Sequence, residues 1–332
     1  MLLFAAPDWP IGQAVPFILL AALALDAVLG DPRWLPHPVR WMGWLTGLLD
    51  RGLNRERQGE GVRTFLGLIA LVAVVGASAA AGWAVAHHVA TLAWGWLAEL
   101  ALVAMLLAQR TMCDHMVRVA RALDSGAAPA RDAVRHIVGR DVRALDEHAI
   151  ARAAIESGAE NYSDGVVAPA FWYLLLGLPG LFAYKAINTM DSMIGHRSPR
   201  HRAFGWAAAR IDDAVNWVPA RIAGGLIAGA ALLVPGGAPG RAWRTMLRDA
   251  PKHSSPNAGW PEAAMAGALG LALLGPRRYE DEAAGDEAWL GDGRREATPD
   301  DLRRAVRVFA AACALVAALT AAIAAGTALG GS

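Results

Sequence analysis

Long apolar runs alternate along this chain with short, densely polar ones. Four runs come close to the roughly 20 residues that cross a bilayer: 11–29, 65–86, 89–108 and 308–330. Two more, 165–184 and 222–238, are apolar but interrupted by Pro179-Gly180, by Gly224-Gly225 and by Pro235-Gly236-Gly237. A seventh, 263–275, is too short to span.

The intervening segments predict helices. Residues 109–125 continue the third run and stop at Gly126, a usual helix end. Pro129 opens a short helix that ends at Gly139, and 145–157 reads as another. Thr298-Pro299 starts a helix, with Thr as N-cap and proline in the first turn, leading into the last run. Residues 280–297 are polar and glycine-bearing and read as an exposed loop. No internal repeat, heptad pattern or strand-type alternation is present. The expected fold is all-α: a polytopic integral membrane protein with about four full spans, two re-entrant or broken hydrophobic segments, and cytoplasmic helices. It forms one membrane domain over 1–332, with 109–165 and 239–307 as cytoplasmic helical segments.

Composition supports a membrane protein. The 332 residues are 55% hydrophobic and only 18% charged, which excludes a disordered or nucleic-acid-coating chain. A net charge of +1 makes no case for a polyanionic partner. Cys113 and Cys313 are too distant in sequence to suggest a disulfide framework or a cysteine zinc site. The first residues carry Asp8 but no Lys or Arg, unlike a cleavable signal peptide, so the first run is expected to remain as an anchor. Every Lys and Arg falls within 31–63, 109–165, 185–221 and 239–307. The positive-inside rule then puts these segments in the cytoplasm. With 185–221 inside, 165–184 and 222–238 re-enter or form buried hairpins, which protein-enclosed Pro and Gly permit. In the rival arrangement both cross and 185–221 lies outside.

Four polar clusters abut apolar runs, where such side chains are costly and usually functional. In GDPRWLPHPVRWMG, 30–43, prolines fix a turn holding Asp31 and His37, while Trp34, Trp41 and Trp44 suit an interfacial belt. A plain membrane elbow explains that cluster about as well. In ESGAENYSDGVVAP, 156–169, Glu156, Glu160 and Asp164 recur every four residues beside Asn161. Stacked acids invite a cation, and oxygen ligands suit Mg²⁺; a solvated helix end is the plainer alternative. In KAINTMDSMIGHRSP, 185–199, Lys185, Asn188 and Ser192 form one helix stripe, with Asn188 and Asp191 as i,i+3 neighbours, ahead of Gly195, His196 and Arg197. RIDDAVNWVPAR follows at 210–221, and of its adjacent acids Asp212 and Asp213 only one is expected to act. In DAPKHSSPNAGWPEAAMAG, 249–267, Lys252, His253, Ser255, Asn257 and Glu262 stand among three prolines and enter a short apolar helix, suiting an anion. Glu99 lies mid-span and is as well explained by an interhelical hydrogen bond.

These strings, in this order, resemble the adenosylcobinamide-phosphate synthases, the integral-membrane CbiB/CobD proteins of cobalamin biosynthesis. The resemblance covers roughly 20–280 and rests on ENYSDG, YKAINTMDSMIGHR, DDAVNWVPAR and HSSPNAGWPEAAMAG. It implies amide synthesis dependent on ATP and Mg²⁺. The corrin-ring propionate of adenosylcobyric acid would be joined to aminopropanol phosphate, or to free aminopropanol. Such a reaction is expected at the cytoplasmic side of the inner cell membrane, within the lipid bilayer. Other cobalamin-assembly enzymes and a homo-oligomer are partners to look for; nucleic acid is not.

Chemistry then distributes roles. Glu160, Asp164, Asp191 and Asp212 are expected to hold metal. Lys185, Arg197, Arg221 and Lys252 would neutralise phosphate, with Asp31, His37, Ser255 and Glu262 as further binding residues. His253 or His196 would be the base, and Asn188 and Asn257 would donate to an oxyanion. The alternatives are a Mg²⁺-dependent membrane prenyl or alcohol phosphotransferase and a corrinoid-binding scaffold.

Overall fold

The computed structural model describes residues 11–31, 37–139, 141–196, 198–275, 277–279, 282–285 and 287–330. Helices dominate: α1 (Ile11–Leu29), α2 (Pro38–Leu53), α3 (Glu60–Ala90), α4 (Gly95–Met105), α5 (Gln109–Leu123), α6 (Ala127–Val134) and α7 (Glu147–Tyr162). After a π-helical turn, Ser163–Val167, come α8 (Ala168–Ile194), α9 (Trp206–Val215), α10 (Trp217–Ala230), α11 (Pro239–Asp249), α12 (Gly259–Leu269) and α13 (Pro299–Gly330). Four helical stretches are long and apolar enough to cross a membrane: Glu60–Ala90, Gly95–Leu123, Glu147–Ile194 and Pro299–Leu329. The protein is therefore an all-α polytopic membrane protein. The first apolar run is a shorter helix over its described side chains, Ala14–Leu29.

The chain divides into two compact units. The first comprises 1–107, 168–215 and 317–332, and the second 108–167 and 216–316. In the first, α8 packs against α1, α2, α3, α4 and α9. Its interrupted sequence takes the form of a break at Gly177, whose φ of 63° and ψ of −153° suit glycine alone. Pro179 explains the place, because its ring cannot fit against the carbonyl four residues earlier. α3 meets this break through Gly82, where a β-carbon would lie 2.7 Å from the Leu178 carbonyl oxygen. Buried Glu99 accepts a 2.7 Å hydrogen bond from the Tyr173 hydroxyl, which satisfies an acid that lipid would penalise.

In the second unit α12 is the hub, packing on α7, α10, α11 and the 3₁₀ turn Ala250–Lys252. Tyr162 donates to the Ala312 carbonyl at 2.8 Å and meets Phe309 edge-on, fixing α13 against α7. Thr298 and Asp301 cap α13 reciprocally: the Thr298 amide donates to Asp301 at 2.9 Å and the Asp301 amide to Thr298 at 3.3 Å. Such caps stabilise a helix by about 1 kcal/mol. The 222–238 run is also broken, with α10 giving way to turns that contain Gly236 at φ 75°. The segment expected as a plain loop differs. β1 (Leu273–Leu274) pairs with β4 (Trp289–Leu290), and β2 (Arg277–Tyr279) with β3 (Glu282–Gly285). Leu290 is buried, which a polar average over 280–297 conceals.

Candidate active site

In the first unit, helix α8 carries the YKAINTMDSMIG string into its C-terminal turns. Lys185 is buried, and Asn188 and Asp191 are half-buried. Thr189 and Ser192 bond back to the carbonyls of Lys185 and Asn188, at 2.6 and 2.9 Å, so neither hydroxyl competes with its neighbours. Asp191 lies within electrostatic reach of Asp213 and of exposed His196. Asp213, whose charge reaches Asp191, lies 3.4 Å from the Arg210 guanidinium. Asp212 is half-buried beside it. Gly195 is obligatory: a β-carbon there would sit 1.9 Å from the Asp191 carboxylate and 2.7 Å from its carbonyl. Arg197 lies outside the described residues.

The turn after Gly195 is held by residues with no sequence signal. Buried Asn54 donates to the Arg200 carbonyl at 3.0 Å and to Asp50 at 2.8 Å, and buried Arg63 bonds the same carbonyl. Arg200 bonds Asp50 at 2.9 Å. Burial works against the Asp50 charge, yet the Asn54 and Arg200 hydrogen bonds prevail and hold its carboxyl below the usual range.

His37 is engaged structurally. Its Nδ1 accepts the Val39 amide at 3.1 Å, capping α2, so its proton is on Nε2, which donates to the Met105 carbonyl at 2.7 Å. Exposed Asp31 stands 3.9 Å from that nitrogen.

In the second unit, the acid ladder of α7 parts company. Buried Glu156 accepts the Leu274 amide at 2.9 Å, Glu160 is exposed, and Asp164 is half-buried in the π-helical turn. The π turn moves Asp164 off the i,i+4 stripe that Glu156 and Glu160 begin. No group of three or more His, Cys, Asp or Glu among the described residues is placed to hold a metal ion. Mg²⁺ needs fewer, since it keeps waters and phosphate oxygens and takes one or two carboxylates. Asp191, with Asp213 in electrostatic reach, offers carboxylates of that kind.

The loop before α12 is built around an arginine. Arg221 lies between two indoles, 4.1 Å from the Trp217 ring centre and 4.5 Å from that of Trp260. It donates to the Trp217 carbonyl at 2.6 Å and reaches the Asn257 side-chain oxygen at 3.5 Å. Ser255 accepts the amides of Asn257 and Ala258 at 3.3 and 3.2 Å, shaping the turn. Gly259 lets it close, because a β-carbon there would lie 2.3 Å from the Ala250 carbonyl oxygen. His253 turns inward: Nδ1 accepts the Ser255 amide at 2.8 Å, and Nε2 lies 3.7 Å from buried Glu262. Lys252 bonds Asp249 at 2.6 Å. Burial opposes the Asp249 charge, but bonds from Arg248, Lys252 and the Gly291 amide outweigh it and hold the carboxyl far below the usual range.

The family model described as CobD/Cbib protein matches residues 19–309. The chain belongs to this family. Among curated CobD/Cbib relatives, a cobalamin biosynthesis protein CobD of Sinorhizobium sp is 48% identical over 94% of this chain and 99% of its own length. Proteins of the same name from Rhodobacter capsulatus and Brucella suis are 45% and 46% identical, each over at least 90% of this chain and 93% of their own length. No solved structure matches. The matched region holds every motif quoted above, from GDPRWLPHPVRWMG to SPNAGWPEAAMAG.

Proposed function

We propose that this protein is an adenosylcobinamide-phosphate synthase. It joins the corrin-ring propionate of adenosylcobyric acid to (R)-1-aminopropan-2-ol phosphate, or to the free amine, with ATP and Mg²⁺, at the cytoplasmic side of the inner membrane. Family membership supports a role in cobalamin biosynthesis. The observation that carries the reaction type is the Arg221 guanidinium, stacked between Trp217 and Trp260 beside Asn257. A pre-oriented guanidinium is suited to planar recognition of phosphate or carboxylate.

A carboxylate does not accept an amine directly, because oxide would have to leave. Transfer of the γ-phosphoryl group to the propionate releases ADP and gives an acyl phosphate. Attack by the amine forms a tetrahedral oxyanion, inorganic phosphate departs, and a base takes the ammonium proton. Mg²⁺ when bound supplies charge neutralisation at the phosphates. Asp191 and Asp213 would hold it, and buried Lys185 adds a fixed cation on the same helix face as Asn188. Asn188 in the first unit and Asn257 in the second each carry an amide of the kind that donates to an oxyanion. His196 is a better base than His253, because it is exposed while both ring nitrogens of His253 face inward. Arg221 binds a phosphate or carboxylate group.

The test is turnover by detergent-purified protein given adenosylcobyric acid, aminopropanol phosphate, Mg²⁺ and ATP. A corrinoid mass gain of one amide, matched by ADP, is expected. Corrinoid binding without mass change would replace the synthase with a scaffold. Neither binding nor turnover by folded protein would return the phosphotransferase.

A further inference from the structure

Helix α7 carries His148, Arg152 and Glu156 at four-residue steps, one stripe of its surface. Each member grips backbone of β1 or of the residues after β4. His148 Nδ1 donates to the Ala297 carbonyl at 2.9 Å, Arg152 donates to the Arg295 carbonyl, and Glu156 accepts the Leu274 amide at 2.9 Å. The stripe therefore fastens the β1–β4 pair and the segment that follows it onto α7.

That fastening gathers two guanidiniums at one indole. Leu290 of β4 joins the apolar cluster of Ala250, Ala263 and Leu274 on which Trp260 packs. Neighbouring strand residues point to opposite faces, so Trp289 points away from that cluster. The Arg295 guanidinium stands 4.7 Å from the Trp289 ring centre and that of Arg152 5.6 Å. The indole is seated closely, because a β-carbon at Gly275 would lie 2.5 Å from it. Arg295 is exposed and Arg152 half-buried, so both remain open to a ligand.

Two like charges at one ring repel, and cation–π contacts at exposed sites offset little of that. Nearby arginines are neutralised within the fold: Arg248 by Asp249 and Asp292, and Arg294 by Asp301. Among the described residues no carboxylate pairs with Arg152 or Arg295; even Glu296, next in the chain, is exposed and bonds neither. Fixed positive charge that the fold does not balance favours an anion. Guanidinium forks match phosphate oxygens, and two of them suit a doubly charged group.

We propose that Arg152 and Arg295, seated on Trp289, form a phosphate-binding subsite on the face of the β1–β4 pair away from Trp260. The inference rests on the amide-synthase reading, which supplies two phosphate-bearing substrates, ATP and aminopropanol phosphate. Both end in the same phosphoryl group.

The experiment is phenylglyoxal modification of arginines in the intact, detergent-purified protein, followed by peptide mapping. Ligands are ATP, aminopropanol phosphate, inorganic phosphate and free aminopropanol. A phosphate-bearing ligand at about ten times its Kd should slow modification of Arg152 and Arg295 about tenfold, and free aminopropanol should not. Protection by ATP but not aminopropanol phosphate assigns the nucleotide; the reverse assigns the amine substrate. Protection in folded protein without turnover would keep the subsite and remove the synthase. Unprotected Arg152 and Arg295 in protein that turns over would overturn the subsite and leave the synthase standing. Absence of both protection and turnover would remove both. In parallel, Arg295→Gln should raise the KM of the assigned substrate about tenfold, the worth of one charge-assisted hydrogen bond, while kcat holds within about twofold. With the amine phosphate as occupant, that variant should use free aminopropanol as wild type does. Arg295→Lys, which keeps the charge without the fork, serves as a second variant should the first not fold, and should raise KM by a smaller factor. An unchanged KM for both substrates in folded Arg295→Gln would overturn the role of Arg295.

Discussion

The two units hold their polar residues by different means. On α8 the key side chains lie along consecutive helical turns, where neighbouring hydroxyls bond to their own helix backbone. Around Asn257 the side chains lock one another: Ser255 holds two amides, His253 faces Glu262, and two indoles clamp Arg221. A helix face can lose one polar group and keep its fold, because the backbone bonds stand without it. A loop of mutual hydrogen bonds transmits each loss to its neighbours. Function and stability should therefore separate in the first unit and fall together in the second.

The sharpest test of that contrast is Asp191→Ala. Turnover should fall by at least about a hundredfold, the scale of removing one electrostatic stabiliser, with yield and melting temperature unchanged. Activity near wild type would remove Asp191 from the chemistry. Gly195→Ala should come next. Its β-carbon would collide with the Asp191 carboxylate, so activity should drop by about tenfold or more. A Gly225→Ala control meets only Trp243, at 3.7 Å, and should fold and turn over normally.

Arg221→Lys probes the clamp. An ammonium cannot stack between Trp217 and Trp260 as a planar guanidinium does. Each lost cation–π contact is worth about 0.5–2 kcal/mol, so both phosphate-substrate KM and thermal stability should worsen. A change in KM without any loss of stability would break the proposed coupling.

Asp249→Asn yields the smallest effect at neutral pH and a clear pH signature. The Asp249 carboxyl titrates lower in the folded protein than in the unfolded chain. Its contribution is therefore fully present above the unfolded value of about 3.9 and is lost as pH falls through the folded value. Wild-type protein should gain on Asp249→Asn from acid to neutral pH and then level off, as melting temperatures would report. Because Arg248 and Lys252 are half exposed, solvent screens the pair and the gap should stay near 1 kcal/mol.

Much of this protein was legible from residue order. Apolar run length determined its membrane class, and local spacing determined the Thr298 cap, the interrupted 165–184 helix and the neighbouring helical positions of Asn188 and Asp191. These depend on contacts within a few residues. Tertiary structure decided what such spacing cannot express. It turned Glu156 to the Leu274 amide, brought Asp213 within electrostatic reach of Asp191, committed both nitrogens of His37, and recruited Asn54 and Arg63 to a carbonyl more than a hundred residues away. It also drew discontinuous segments into each unit. A side chain's chemistry is written in its identity, but its partner across the fold is selected only when apolar burial brings distant segments together.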